Sequence, residues 1–364
     1  MAHSTALPKA RSSPSARKSS NVADSPSEPL AAQYGGNSSA GWLGRLPGPW
    51  LPYVQLARLS PPAGLCLVFF PHLFGLLHAG LLQQRPPILL FRTSIVLLIG
   101  NFFLSNAIHI WNDLIDAPLD AQVERTRNRP IPRGAVSPRA ALLFTGTQAL
   151  GAALFLPLCA GYDTPLKAAL CSVPAILAWT YYPWAKRHTH VPQLVLGFCL
   201  AWGVFMGELA AGHSSFSFGS AAAEKRGRWL GVDGSALCLF AACVLWTMIY
   251  DTIYAQQDLE DDIKVGIKSL AVYSRGRTKL ILTILLLHLI MLLSVCGWLS
   301  SMGPAFYLVT NGGAAMSLIF MIAKVDLESS SSCWVWFSRG FWLTGGAITA
   351  GLSTELVLQH SKLA

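Results

Sequence analysis

Charged side chains are scarce in this chain. Only 12% of its 364 residues are Asp, Glu, Lys or Arg, whereas 52% are hydrophobic, and soluble domains usually carry about a quarter charged residues. The stretches 168–184, 235–250 and 280–299 contain none of these four residue types, and each comes close to the roughly 20 residues that a helix needs to cross a bilayer. This scarcity excludes an ordinary soluble domain and predicts a membrane protein.

Paired cysteine motifs are also missing, although the chain contains 8 cysteines. Seven of them stand singly inside or beside apolar runs, with no C-x-x-C spacing: Cys66, Cys159, Cys171, Cys199, Cys238, Cys243 and Cys296. Isolated cysteines of this kind pack as small hydrophobic side chains. We therefore expect no disulfide framework.

The positive charge of the chain is not gathered into one stripe. The formal net charge is +9, but the basic residues lie between the hydrophobic runs, which is typical of a positive-inside membrane topology. The expected partner is therefore a lipid bilayer and not a nucleic acid.

The chain divides into a leader and one large domain. Residues 1–48 are rich in Ser, Ala and Pro and are expected to be disordered, whereas residues 49–364 form the predicted transmembrane domain. The leader has no apolar signal-peptide core. Its basic residues resemble a mitochondrial transit peptide, but Asp24, Glu28 and several prolines argue against that interpretation.

Apolar segments predict the fold class. An all-α, polytopic membrane helical bundle of about nine transmembrane helices is expected, with spans near 63–82, 88–111, 138–160, 165–184, 192–212, 235–257, 278–299, 303–323 and 337–358. Basic clusters follow the second, fourth and sixth spans, so these three connections are predicted to share the cytoplasmic face. Lys225, Arg226 and Arg228 in another loop go against this trend.

The first acidic cluster ends the second span. It contains Asn112, Asp113, Asp116 and Asp120, and Asn112 and Asp116 are one helical turn apart, so their oxygens share a face. Pro118 disfavours helical angles at the preceding residue, and we therefore expect Asp120 to be presented from the following loop.

The second acidic cluster ends the sixth span. On a continuous helix Asp251, Asp258 and Asp262 fall within an arc of roughly 40°, with Asp261 on its shoulder. Stacked carboxylates repel each other and are costly near hydrocarbon, so a cation is expected between them. The alternative is that both clusters are solvated loop acids outside the membrane.

The residue types around both clusters predict a magnesium and phosphate site. Oxygen-only ligands suit Mg²⁺, which takes one or two carboxylates together with water and phosphate oxygens. Basic residues follow closely as Arg125-Thr-Arg127-Asn-Arg129, and Tyr182 and Lys186 follow the fourth span. Guanidinium and ammonium groups would hold the remaining phosphate charge, although such arginines alone would only mark topology.

These motifs resemble the UbiA-type intramembrane prenyltransferases. The N-D-x-x-D-x-x-x-D at residues 112–120 resembles the first aspartate motif of that family, and R-T-R-N-R-P at 125–130 is similar to its continuation. Y-x-x-x-K at 182–186 and the acids at 251–262 resemble its other motifs. The resemblance covers nearly everything after residue 50. It implies helices around a central cavity, with the two aspartate motifs facing each other beneath a cytosolic cap.

The start of the domain suggests one branch of this family. Arg58-Leu-Ser-Pro61-Pro62 and the sequence through Phe70-Pro71-His72 look more like fungal prenyltransferases of meroterpenoid, secondary-metabolite biosynthesis. That resemblance implies farnesyl diphosphate as donor, a polyketide-derived phenolic acid or pyrone as acceptor, and an endoplasmic reticulum or other endomembrane location. The alternative is a 4-hydroxybenzoate polyprenyltransferase of ubiquinone biosynthesis in the mitochondrial inner membrane.

Site roles follow from the same resemblance. The expected catalytic residues are Asp116, Asp258 and Lys186, and the expected acceptor contacts are Arg58 and Tyr254. The predicted Mg²⁺ ligands are Asn112, Asp113, Asp116, Asp120, Asp251, Asp258 and Asp262. The predicted diphosphate contacts are Arg125, Arg127, Arg129, Tyr182, Lys186, Lys264 and Lys268.

Two functions of other classes are compatible with the acids alone. A cation transporter also carries carboxylates at membrane depth, although usually near the middle of its spans. A membrane scaffold or receptor would tolerate neutralisation of Asp116 or Asp258. Within the same fold, a terpene cyclase or a haem or quinone prenyltransferase is the nearer competitor.

Overall fold

The structure is a computed structural model that describes residue 39 and residues 41–159, 165–216, 228–229 and 231–361. Most of the predicted leader 1–48, and Lys225 and Arg226, lie outside the described residues. Within the described part of the leader, Gly41–Arg45 forms a short 3₁₀ helix. The boundary between leader and domain stays a prediction.

Helices make up nearly all of the described chain. The α-helices are α1 Leu51–Leu56, α2 Ala63–Leu82, α3 Pro87–Asp120, α4 Pro138–Cys159, α5 Pro165–His188, α6 Pro192–Ala201, α7 Gly203–Ala210, α8 Gly234–Ala255, α9 Leu259–Val265, α10 Leu270–Tyr273, α11 Thr278–Leu299, α12 Gly312–Lys324 and α13 Ser330–Ser361. A 3₁₀ turn, Gln256–Asp258, joins α8 to α9, and a π-helical segment, Phe306–Asn311, precedes α12. Two strands, β1 Arg228–Trp229 and β2 Val232–Asp233, pair antiparallel.

The predicted all-α membrane bundle is confirmed. Among the described residues, 8 helical stretches are long and apolar enough to span a membrane, and they correspond to eight of the predicted spans. The remaining predicted span, 165–184, lies in α5, which is 24 residues long. Its second half contains Trp179, Tyr181, Tyr182 and Trp184, and these amphipathic rings favour the interface between lipid and water over the hydrocarbon centre.

Pro118 does not end the helix that carries the first acidic cluster. Helix α3 continues to Asp120 with Pro118 inside it, so the expectation that Asp120 belongs to the following loop was wrong. Because Pro118 lies in the last turn, its missing N–H and its ring disturb only the end of the helix. Asp113, Asp116 and Asp120 therefore follow one another along a single helical face.

The second acidic cluster does not lie on one uninterrupted α-helix, contrary to the expectation from spacing. Helix α8 ends at Ala255, and Gln256–Asp258 forms a 3₁₀ turn before α9 begins at Leu259. A 3₁₀ turn winds the chain more tightly than an α-helix. It therefore rotates Asp258 and Asp262 relative to Asp251, away from the simple 100° pattern.

Glycines let α2 and α7 pack backbone against backbone. A methyl group added at Gly207 would lie 1.9 Å from the His72 carbonyl oxygen, and one added at Gly75 would lie 2.0 Å from that of Val204. Small residues at helix contacts are typical of membrane bundles, where close packing drives association. This contact fixes α2 beside the two short helices that bound the site.

The helices differ in how they meet their surroundings. The most apolar window of Gly234–Val265 is 72% buried within the protein, whereas that of Pro138–Leu158 is only 6% buried. Leu143, Leu150 and Leu154 on α4 are largely exposed, as expected for side chains that face lipid. The α8 helix therefore forms the centre of the bundle and α4 its rim.

Candidate functional site

A polar cavity of about 180 Å³ lies where the two acidic clusters meet. Its wall is formed by the ends of α3, α5 and α8, the start of α6, the turn before α9 and the segment before α10. All of the candidate site residues line this cavity except Asp113, Arg127 and Lys264. The structure thus brings residues from all four sequence motifs to one chamber.

One arginine, Arg129, forms ion pairs with both Asp113 and Asp120. The Arg129 Nη1 atom lies 3.1 Å from Asp113 Oδ1 and 2.8 Å from Asp120 Oδ2. Arg58 forms a second ion pair with Asp113, which is almost completely buried. Because buried charges are costly unless paired and hydrogen-bonded, this cluster fixes the end of α3 against the loop that follows it.

Asp116 lies at the centre of the first row and faces the end of α5. Its Oδ2 atom accepts a hydrogen bond of 2.6 Å from Lys186 Nζ, and Arg187 Nη1 lies 3.6 Å from its Oδ1 atom. The ammonium group of Lys186 also lies 5.7 Å from the centroid of the Tyr182 ring. In the Y-x-x-x-K motif, Lys186 therefore pairs with the first acidic row, and the Tyr182 ring lies beside its ammonium group.

Asp258 carries the strongest link between the two clusters. Arg125, from the loop after α3, donates to both of its carboxylate oxygens at 2.8 and 2.5 Å and to the Tyr254 hydroxyl at 2.9 Å. Burial alone would lower the pKa of Arg125, but the Asp258 carboxylate beside it holds that pKa well above its ordinary value. This bidentate pair links the loop after α3 to the turn before α9.

Asp251 and Asp262 complete the second row without a basic partner at ion-pair distance. In the described part of the chain neither carboxylate pairs with a lysine or arginine, whereas Asp113, Asp116, Asp120 and Asp258 all do. The partner of Asp251 is the neutral side-chain amide of Gln193. In the described residues the second row therefore has fewer ion-pair partners than the first.

Two of the predicted diphosphate contacts point away from the cavity. The side chain of Lys264 is 69% exposed and lies 3.2 Å from Asp261 on the outer surface, and Arg127 is exposed in the loop after α3. Lys268 does line the cavity, and its backbone N–H donates to the Lys186 carbonyl oxygen at 2.9 Å. The basic side chains that line the cavity are thus Arg58, Arg125, Arg129, Lys186 and Lys268.

The oxygen atoms of the first row fit a hard divalent cation. The Oδ1 atoms of Asn112 and Asp116 are buried at the cavity wall without a hydrogen-bond partner, and such oxygens are the ligands that Mg²⁺ prefers. Among the described residues, no three Asp, Glu, His or Cys side chains are gathered tightly enough to hold a metal ion by themselves. Mg²⁺ takes few protein carboxylates and fills its shell with water and phosphate oxygens.

A second cavity, of about 460 Å³, adjoins the first and is mostly apolar. It lies between α3, α4, α5 and the α6–α7 pair, with Leu104, Ala152 and Met206 in its wall. Ile108 and Trp179 line both cavities. A polar cavity suited to an anion and an apolar cavity suited to an apolar chain therefore share one boundary.

Gln193 and Phe337 are among the residues of the polar cavity that the sequence analysis did not identify. Gln193 lies at the start of α6 and is buried, and Phe337 comes from α13 and lies 4.6 Å from the Tyr254 ring, between centroids. Neither carries a charge or belongs to an acidic cluster. Gln193 follows Pro192 at a helix start, which is a signal for a helix end but not for a ligand.

The sequence comparisons place a family model on most of this chain. The model of the UbiA prenyltransferase family matches residues 68–345. A prenyltransferase of Acremonium egyptiacum, ascA, is 33% identical over 78% of this chain and 79% of its own length. The mitochondrial 4-hydroxybenzoate polyprenyltransferase of Saccharomyces cerevisiae is 34% identical over 87% of this chain and 80% of its own length.

Solved structures share the fold. A UbiA homolog from Aeropyrum pernix K1 superposes with a TM-score of 0.61 at 22% identity, over 80% of this chain and 98% of the other. A UbiA homolog from Archaeoglobus fulgidus, bound to GPP and Mg²⁺, superposes with a TM-score of 0.55 at 17% identity, over 83% and 99% of the two chains. At these identities the likeness concerns the fold alone.

Proposed function

Since the chain belongs to the UbiA prenyltransferase family, we propose that it transfers a farnesyl group from its diphosphate to an aromatic, polyketide-derived phenolic acceptor, with Mg²⁺ as cofactor. Membership of this family identifies the protein as a prenyltransferase and decides against the transporter and scaffold alternatives. The donor length, the acceptor and the dependence on Mg²⁺ are the content of the proposal.

The observation that carries the proposal is the junction of the two cavities. Carboxylates from both acidic clusters and five lysine or arginine side chains line the polar cavity, and the apolar cavity begins at Ile108 and Trp179. A prenyl diphosphate has the same division, with a charged head and a greasy tail. Its reacting carbon, between head and tail, would lie at this boundary.

The chain's own residues would hold and neutralise the diphosphate. Lys186 and Arg125 would donate to its oxygens, while Arg129 keeps the end of α3 in place. Asn112, Asp116, Asp120, Asp251, Asp258 and Asp262 would supply oxygen ligands to Mg²⁺, which stabilises the negative charge that grows on the diphosphate when it leaves. Asp113, covered by Arg58 and Arg129, would act by supporting the row from behind.

The transfer would proceed by ionisation of the donor. The bond between the allylic carbon and the diphosphate oxygen breaks, and its electron pair stays on the diphosphate. The aromatic acceptor attacks the allylic cation with a ring carbon and then loses the proton from that carbon. The apolar wall around Ile108 and Trp179 would exclude water, which would otherwise convert the cation to an alcohol.

The acceptor would lie near Arg58 and the pair of rings Tyr254 and Phe337. Arg58 lines the cavity from the segment before α2, and a guanidinium group is suited to bind a carboxylate on a phenolic acid. The ring faces of Tyr254 and Phe337 would stack against an aromatic acceptor. A pyrone would use the same rings without the contact to Arg58.

The second candidate is a 4-hydroxybenzoate polyprenyltransferase of ubiquinone biosynthesis. It is favoured by the 34% identity to the mitochondrial enzyme of Saccharomyces cerevisiae. The identity to the Acremonium egyptiacum prenyltransferase is 33%, so the two values differ by one percentage point. The two candidates differ in location, since the first belongs in the endoplasmic reticulum or another endomembrane and the second in the mitochondrial inner membrane. Fluorescence microscopy of the tagged full chain would separate them.

Transfer assays with matched aspartate variants test the proposed function. Microsomes that contain the protein would be incubated with labelled farnesyl diphosphate, Mg²⁺ and a panel of phenolic acids that includes 4-hydroxybenzoate. Asp116→Asn and Asp258→Asn should each lower the rate at least about 100-fold, because each removes charge that holds the metal and diphosphate. Asp261→Asn is the control, because Asp261 bonds Lys264 and the Glu124 N–H outside the cavity.

The control should keep its rate within about threefold of the original protein, since surface substitutions have small effects. Transfer that persists in both cavity variants, or in the presence of EDTA, would refute the mechanism. Transfer of octaprenyl but not farnesyl groups to 4-hydroxybenzoate would favour the second candidate.

A further inference from the structure

One neutral side chain bridges the second acidic row and the segment that closes the polar cavity. Gln193 is 3% exposed and lines the cavity at the start of α6. Its Oε1 atom accepts a hydrogen bond of 2.9 Å from the Leu270 N–H, and its side-chain amide interacts with the Asp251 carboxylate. Because a carboxylate only accepts, the amide nitrogen is the group of Gln193 that can donate to Asp251.

The contact to Leu270 fixes the segment between α9 and α10. Leu270 is the first residue of α10, and N–H groups at a helix start have no partner within the helix. Gln193 satisfies this N–H, while the Lys268 N–H, two residues earlier, donates to the Lys186 carbonyl oxygen at 2.9 Å. The segment that carries Lys268 is therefore tied to α5 at one point and to α6 at the other.

The contact to Asp251 orients a carboxylate without cancelling its charge. The other acids at the centre of the site, Asp116 and Asp258, are held by charged partners, Lys186 and Arg125. An amide donor fixes one carboxylate oxygen but adds no positive charge. Asp251 is thus an acid whose direction is set by a neutral group and not by a lysine or arginine at ion-pair distance.

We infer that Gln193 is a positioning residue, which directs Asp251 toward the metal and couples that direction to the placement of Lys268. The inference rests on the proposed function, because it concerns the Mg²⁺ and diphosphate site proposed above. Groups that orient metal ligands typically change metal affinity about 10- to 100-fold when they are removed. Gln193 should therefore act on metal affinity and much less on the rate at saturating metal.

The test compares two glutamine-to-methionine variants of the full chain in detergent. Gln193→Met keeps the length of the side chain but removes the hydrogen bond from Leu270 and the amide beside Asp251. Gln148→Met is the matched control, because Gln148 accepts a hydrogen bond from Asn106 between α3 and α4 and lines neither cavity. Binding of Mn²⁺ in the presence of geranyl diphosphate would be followed by electron paramagnetic resonance, and thermal unfolding would be measured on the same samples.

Gln193→Met should weaken Mn²⁺ binding about tenfold and raise the half-saturating Mg²⁺ concentration for transfer to a similar extent, with kcat at saturating Mg²⁺ within about threefold. Gln148→Met should change neither. In the double variant Gln193→Met with Asp251→Asn, metal binding should be no weaker than in Asp251→Asn alone, since interacting residues are not additive. A structural role would instead lower thermal stability and leave the metal dependence unchanged.

Gln193→Glu provides a second route if Gln193→Met does not fold. Glu keeps an acceptor for the Leu270 N–H but replaces the donor to Asp251 by a second carboxylate, so Mn²⁺ affinity should change at least about threefold. Equal metal binding in the original protein and in both Gln193 variants would overturn the inference. A failure of the proposed function looks different, because the original protein itself would then show no metal-dependent transfer.

Discussion

Most of the buried carboxylates of the cavity form ion pairs with cations from other elements, and these pairs compensate the cost of burying them. The pair of Arg125 and Asp258 has the best geometry, with two parallel hydrogen bonds and side chains that are only 7% and 14% exposed. Removing one partner of such a pair leaves the other charge buried and unpaired. The same groups that bind substrate in our proposal therefore also contribute to stability.

A double-mutant cycle tests this dependence. Arg125→Met should lower the free energy of unfolding by up to about 3 kcal/mol, because it leaves the Asp258 carboxylate without its guanidinium partner. Arg125→Met combined with Asp258→Asn should be more stable than Arg125→Met alone, because no charge is then left unpaired. Thermal unfolding in detergent provides the measurement, and strictly additive effects would contradict the expectation.

The residues of the site could be predicted from the sequence to the extent that charge and motif reveal them. Asn112, Asp116 and Lys186 line the cavity. Helical periodicity and motif spacing were enough to predict the directions of these three side chains. Arg127 and Lys264 do not, because the conformation of a loop and competition from Asp261 decide where a long basic side chain points. Gln193 could not be predicted, since its contacts depend on two segments brought together by folding.

Helix continuity decides how the two acidic rows are presented. Pro118 is accommodated inside the last turn of α3, and a 3₁₀ turn separates Asp251 from Asp262. Apolar length predicted that these helices exist, but local sequence could not predict their ends, because a proline in a last turn and a 3₁₀ turn are both compatible with the chain continuing. The tight contact between α2 and α7 was likewise not visible in the sequence pattern.

Substitution of one glycine tests the contact between α2 and α7. Gly207→Ala should lower the free energy of unfolding by about 1–3 kcal/mol, because its methyl group would collide with the backbone of His72. Gly146→Ala on α4 is the control, since nothing lies within 4 Å of the added methyl group. It should be neutral or stabilising by up to about 1 kcal/mol, because alanine favours a helix.

The thermal unfolding temperatures of the two variants provide this comparison. If Gly207→Ala unfolds at the same temperature as Gly146→Ala, the close approach of α2 and α7 is not a determinant of stability.

In the whole molecule, a few helices form three different surfaces: the lipid-facing surface, the wall of the apolar cavity and the wall of the polar cavity. Composition predicted the membrane bundle, because the scarcity of charge leaves a long apolar chain few other environments. The size and position of the apolar cavity could not be predicted, because small residues such as Ala149 and Ala152 are common on both the lipid-facing and inward faces of membrane helices. Only the packing of α4 against α3 and α5 distinguishes these faces.

The volume of the apolar cavity should limit the length of the donor chain. Ala152→Phe adds a ring to the cavity wall, so kcat/KM for farnesyl diphosphate should fall at least about tenfold relative to geranyl diphosphate. Leu150→Phe is the matched control, since Leu150 lies on the same helix and is 62% exposed on its outer face. Competition between the two labelled donors provides the measurement, and an equal loss for both donors would contradict the assignment of this cavity to the prenyl chain.

The hydrogen bond between the Lys268 N–H and the Lys186 carbonyl joins the main chains, not the ammonium groups, of two basic residues. Dissolved ions weaken contacts between exposed charges but have little effect on a bond between peptide groups. The distance between the points from which these two lysines extend should therefore stay the same in dilute buffer and in molar salt. An anion would then bind between two lysines whose main-chain spacing is the same at any ionic strength.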